Sequence, residues 1–129
     1  MKLYVIDGDP IALARPRFAY NRVFDCQKME KTVAMLSLDR QHGKDPMFDG
    51  PVHLEITFYM NIPTSVPKKK KSAINGTPHV SNKDLDNLIK FVGDICNGIC
   101  WADDRIVASI NAKKIYDNKP RTEFTIRNI

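Results

Sequence analysis

Val52, Leu54, Ile56, Phe58 and Met60 alternate strictly with His53, Glu55, Thr57 and Tyr59. A period of two predicts a strand with one buried face. His53 falls on the polar face and is read as structural. Leu85, Leu88, Ile89, Val92, Ile95, Cys96 and Ile99 recur instead at i, i+3, i+4 and i+7. That spacing predicts an amphipathic helix of about 14 residues, stopped by Asn97-Gly98. A second helix is predicted from Cys26 to about His42, with Met29, Val33 and Leu36 as its apolar stripe. Asp25 is its candidate N-cap and Gly43 its stop. Shorter strands are predicted at Leu3 to Ile6, at Arg105 to Tyr116 with Ile106, Ala108, Ile110 and Ala112 on one face, and at Arg121 to Arg127. Residues 15 to 24 read as a hairpin turning at Tyr20-Asn21-Arg22. The order β, hairpin, α, β, α, β, β predicts an α/β (α+β-like) domain: a small mixed, largely antiparallel sheet packed against two helices.

The length of 129 residues suits one domain, 1–129. No apolar run approaches the roughly 18 residues of a bilayer span, and the opening Met1 to Asp7 is too short for a signal peptide. Three cysteines, Cys26, Cys96 and Cys100, read as reduced thiols of a cytoplasmic protein. Cys96-x-x-x-Cys100 has no second pair of Cys or His nearby and reads as core thiols rather than a zinc site. Trp101 reads as a core or interface anchor.

Charge changes the picture. Lys and Arg number 20 against 15 acids, a formal net charge of +5. Residues 61–83 hold five lysines (Lys68, Lys69, Lys70, Lys71 and Lys83) and no acid, so the remaining 15 bases balance the 15 acids. Three prolines and Gly76 mark this segment as a loop. It is either a solvated surface or a phosphate-binding arm, since clustered lysines attract nucleic acid. Arg15 and Arg17 pose the same choice between edge-strand charge and phosphate contact.

Acids follow the basic segment directly. Asp84 and Asp86 open the apolar helix, and Asp103-Asp104 lies beyond its end. Two readings stand for the first pair. Asp84 caps the helix and Asp86 complements its positive end, or the carboxylates hold a divalent metal. Lys90, at i+4 from Asp86, shares the polar face. Carboxylates beside a phosphate-binding arm repel a phosphodiester unless a cation lies between them. Oxygen ligands of this kind suit Mg²⁺, with Mn²⁺ as a substitute, and a bound metal activates water. The two acid pairs are separated by a helix on the order of 20 Å long, so spacing alone does not bring them together.

Asp84-Leu85-Asp86-Asn87-Leu88-Ile89-Lys90, Asp94, Asn97-Gly98 and Trp101-Ala102-Asp103-Asp104-Arg105-Ile106-Val107 together resemble the signature of the RusA family of Holliday junction resolvases. Arg15-Pro16-Arg17-Phe18 resembles an N-terminal segment of phage members. Phe58-Tyr59, the Lys-rich loop and Gly76-Thr77-Pro78-His79 are similar to the family's central region. The resemblance implies a metal-dependent endodeoxyribonuclease of recombination and repair, a homodimer that nicks four-way junctions or other branched DNA symmetrically. It implies Asp84, Asp86 and Asp104 as metal-binding carboxylates, Asp103 as an adjacent acid and Lys90 as the catalytic lysine. Where the family often has proline before the first aspartate, this chain has Lys83.

Overall fold

A computed structural model describes residues 1–14, 17–19, 22–24, 26–80 and 82–129, with only the backbone of 17–19 and 22–24. Its elements are β1 (Lys2–Asp7), β2 (Arg17–Ala19), β3 (Arg22–Phe24), α1 (Lys28–His42), β4 (Val52–Asn61), α2 (Lys68–Ile74), α3 (Leu85–Cys96), β5 (Val107–Asp117) and β6 (Arg121–Asn128). β2 and β3 pair as the expected hairpin. The N-cap foreseen at Asp25 lies outside the described residues.

Four strands form one sheet in the order β1-β6-β4-β5. β1 with β6 and β6 with β4 are antiparallel, whereas β4 with β5 is parallel. A parallel pair cannot be joined by a tight turn, and here the crossover carries α2 and α3. The alternation of β4 is realised: Val52, Leu54, Ile56, Phe58 and Met60 are all buried. They meet Tyr4, Phe124 and Ile126 of the neighbouring strands and Leu88, Phe91, Val92, Ile95 and Cys96 of α3 in one core. The opposite sheet face is polar. His53 bonds Ser109 and Glu55 there, which is the structural role expected of it. Cys96, Cys100 and Trp101 are fully buried, and the indole Nε1 donates to Asn97 Oδ1 at 2.8 Å.

Three departures from the sequence expectations have physical causes. First, α1 turns its expected stripe outward: Met29, Val33 and Leu36 are exposed, and Ala34, Leu38 and His42 are buried instead. Polar partners choose this face. Lys31 pairs with Asp94 at 2.8 Å. Gln41 donates to the carbonyl of Val5 and accepts from its amide, and His42 Nδ1 bonds Tyr4 Oη at 2.6 Å. Residues 31, 34, 38, 41 and 42 lie along one side of a 3.6-residue helix.

Second, the segment read as a loop carries a third helix, α2. Its end is tied to β5, where Gly76 donates to Tyr116 and His79 to Lys114. Third, the chain after α3 begins with a 3-10 turn, Asp104–Ile106, before β5 starts at Val107. A register shift at Val52/His53 pairs Val52 with Val107 but His53 with Ser109. That shift drops Ala108 out of the face it was expected to share with Ile110 and Ala112.

Candidate active site

α3 is 12 residues long, shorter than expected, and it organises the acids. Asp84 occupies the N-cap position in an extended conformation, yet its side chain makes no capping bond. The carboxylate is therefore exposed and free of the helix amides, contrary to the capping reading. Asp86, in the first turn, is also exposed and lies 4.0 Å from Lys90 Nζ. An exposed pair at that distance contributes little stability; its importance is that carboxylate and ammonium share one face.

Gly93 resolves the separation of the two acid pairs. It lies seven residues after Asp86, two helical turns along the same face and on the order of 10 Å away. A Cβ built on Gly93 would sit 3.1 Å from Asp104 Oδ2. The missing side chain lets Asp104 lie directly against the helix, carried there by the 3-10 turn. Asp104 thus joins the side of α3 that bears Asp86 and Lys90. A mid-helix glycine costs about 1 kcal/mol relative to alanine, and this contact explains its presence. Glycine inside a helical pattern was the sequence signal for such a close approach.

The second acid pair is electrostatically asymmetric. Asp103 Oδ1 accepts from the Arg105 amide at 3.0 Å. That bond, with the hydrogen bond to Asp104, holds Asp103 below the ordinary carboxylate range. Burial, then the hydrogen bond and charge of Asp103 and the charge of Asp94, push Asp104 upward. A carboxylate held in such a field gains from a nearby cation.

Among the described residues, no three Asp, Glu, His or Cys side chains already surround a common metal position. The acids line a face rather than close a cage. The residues that could hold a divalent ion are Asp84, Asp86, Asp103 and Asp104, oxygen donors of the kind Mg²⁺ takes together with waters and substrate phosphate. Cys96 and Cys100 lie fully buried in the core.

The basic residues foreseen as DNA contacts divide into three groups. Lys68, Lys69 and Lys70 are exposed and Lys71 is half-buried, and Lys68 and Lys71 lie one turn apart on α2 beside Ile62 and Asn118. Lys83 is not a free cation, because its Nζ donates to the Pro10 carbonyl at 2.6 Å. Its backbone is left-handed, with φ 80°, a conformation closed to proline. The side chains of Arg15 and Arg17 lie outside the described residues. The chain leading to them is anchored on α3, with the Leu13 amide donating to Asn87 O. Gln27 also brackets it, donating to Ala12 O and accepting from the Ala14 amide.

The chain is 31% identical over 137 residues to "Uncharacterized protein YqaN" of Bacillus subtilis (strain 168), covering 98% of this chain and 95% of that one. The family described as Endodeoxyribonuclease RusA matches residues 7–127, a span that contains α3, Lys90 and both acid pairs. A mixed sheet under three helices, with acids and a lysine gathered along α3, thus belongs to a chain of the RusA endodeoxyribonuclease family.

Proposed function

We propose that the protein is a Mg²⁺-dependent, structure-selective endodeoxyribonuclease that resolves four-way DNA junctions by paired nicks, acting as a homodimer in the cytoplasm. The observation that carries this reading is the seating of Asp104 on Gly93, which sets the second acid pair on the side of α3 that bears Asp86 and Lys90. Asp84, Asp86 and Asp104 are the proposed metal carboxylates, with Asp103 beside them. When bound, the metal supplies charge neutralisation and an acidified water. Lys90, exposed and loosely paired, is free to stabilise charge developing on the phosphate. Lys69 and Lys70 on α2, with Arg15 and Arg17, are the proposed backbone contacts.

A dimer is supported by α1. Met29, Val33 and Leu36 are 75%, 62% and 63% exposed. Met29 and Val33 also line an apolar groove of about 430 Å³ with Ile6 and Ile11. Such a patch on a small domain marks an interaction surface. Two copies packed with α1 antiparallel would set Glu30 of each against Arg40 of the other, a self-complementary arrangement suited to a two-fold axis.

The test is nicking of a synthetic four-way junction in Mg²⁺ by the wild type and by Asp86→Asn. The variant is expected to lose about two orders of magnitude in rate, as when a charge-stabilising group is removed from an active site. Equal cleavage by both proteins would remove Asp86 from the mechanism. Faster nicking of flaps than of junctions would reassign the substrate to other branched DNA. Binding without nicking would leave a DNA-binding module.

A further inference from the structure

A second feature lies one residue from Asp84. Where the parallel strands β4 and β5 end, a pocket of about 210 Å³ is lined by His79, Tyr116, Asn61, Asn82, Asp9 and Met60. The carboxyl ends of parallel strands are where open α/β sheets bind ligands. His79 is only 8% exposed, and its ring lies 4.8 Å from that of Tyr116. Its Nδ1 is buried with no hydrogen-bond partner among the described residues. A polar atom buried unpaired costs about 1–3 kcal/mol, so its persistence beside a pocket asks for a partner. One water occupies about 30 Å³, and the pocket is several times larger.

The wall nearest Asp84 is strained and held at both ends. Lys83 is left-handed, with φ 80°. Its carbonyl accepts from Lys114 Nζ at 2.8 Å and its own Nζ donates to Pro10 O. Strain over-determined in this way is found at ligand clamps.

The chemistry of the lining selects the ligand. Asp9 and Lys83 both line the pocket, so their opposite charges offset and favour neither a phosphate nor a cation. His79 offers no positive charge: burial, then Lys114 and Lys83, hold its pKa below the ordinary histidine value. Asn61, Asn82 and a neutral imidazole provide donors and acceptors. Tyr116 and Met60 provide flat or apolar walls. This combination suits an uncharged, planar, heteroaromatic ring.

We propose that this pocket receives one unstacked base from the branch point of the DNA, with His79 Nδ1 bonding its edge. The proposal rests on the nuclease reading and deepens it. Bases at an exchange point already have interrupted stacking, so extruding one costs less than in continuous duplex. Holding that base one residue from Asp84 would align the neighbouring phosphate with the acids. His79 is then a positioning residue that confers preference for branched DNA.

The experiment measures binding in EDTA of the intact junction and of junctions in which each nucleotide flanking the exchange point is made abasic in turn. His79→Leu is expected to weaken binding of the intact junction by about tenfold, the scale of one hydrogen bond with base stacking. It should leave unchanged the affinity for the junction that lacks the captured base. His79→Asn, whose amide can replace Nδ1, should restore most of the affinity, and both variants should melt near the wild type. Equal weakening of intact and all abasic junctions would show a merely structural histidine and overturn the proposal, as would no weakening of either. If the wild type binds junctions but nicks none, nuclease function fails while this coupling still decides the pocket.

Discussion

At the scale of single residues, Gly93 is the least replaceable member of the site that carries no chemistry. In Gly93→Ala the new Cβ would meet Asp104 Oδ2 at 3.1 Å, so the carboxylate must give way by a few tenths of an ångström. Alanine favours the helix by about 1 kcal/mol, which offsets the crowding. The variant is expected to melt near the wild-type temperature and to nick junctions at least several-fold more slowly. Calorimetry beside the nicking assay separates the two effects. An unchanged rate would show that the placement of Asp104 does not limit cleavage.

At the scale of elements, the sequence was most legible where one period governs the burial. β4 and α3 occupy the expected segments because alternation and the 3.6-residue repeat each match a single buried face. α1 was legible as a helix but not in its orientation. That depends on Val5, Tyr4 and Asp94, partners distant in the chain. α2 was hidden because the turn of four lysines after Pro67 carries no apolar repeat, and the segment after the helix is tied to β5. For the site, residue types and the family pattern named the acids. The route of Asp104 back onto α3 depended on a 3-10 turn and a glycine contact that no local spacing encodes. His79 escaped notice because a buried orphan nitrogen exists only in three dimensions.

The helical α2 also changes how its charge acts. Successive side chains on a helix point about 100° apart, so the four lysines cannot all meet one phosphate line. Replacing Lys68 to Lys71 with alanine should weaken junction binding and reduce the salt slope by about 0.9 for each phosphate that is no longer neutralised. A titration of affinity against salt measures this. A slope equal to that of the wild type would mean that these lysines face only solvent.

At the scale of the whole molecule, two symmetric nicks require two sites held in a fixed relation. Leu36→Glu, placed on the exposed side of α1, should leave the fold intact because its present side chain is 63% exposed. Sedimentation is expected to find a dimer for the wild type and a monomer for the variant, and paired nicking should give way to single, uncoordinated nicks. A dimer of undiminished affinity would move the interface elsewhere. Among the described residues no helix is long and apolar enough to cross a membrane.

The amide of Gln41 has a further consequence. β1 is an outer strand, and at Val5 that amide supplies both the donor and the acceptor that an adjoining strand would offer. At the other margin, Gly76 donates to the Tyr116 carbonyl and Thr77 accepts from its amide, which does the same at Tyr116. At these two places the sheet has no vacant rung onto which another chain could hydrogen-bond. Sheet-to-sheet growth, which is open-ended and leads to aggregates, is suppressed there. Association through a helical face terminates at a defined stoichiometry, the condition for cutting two strands and stopping.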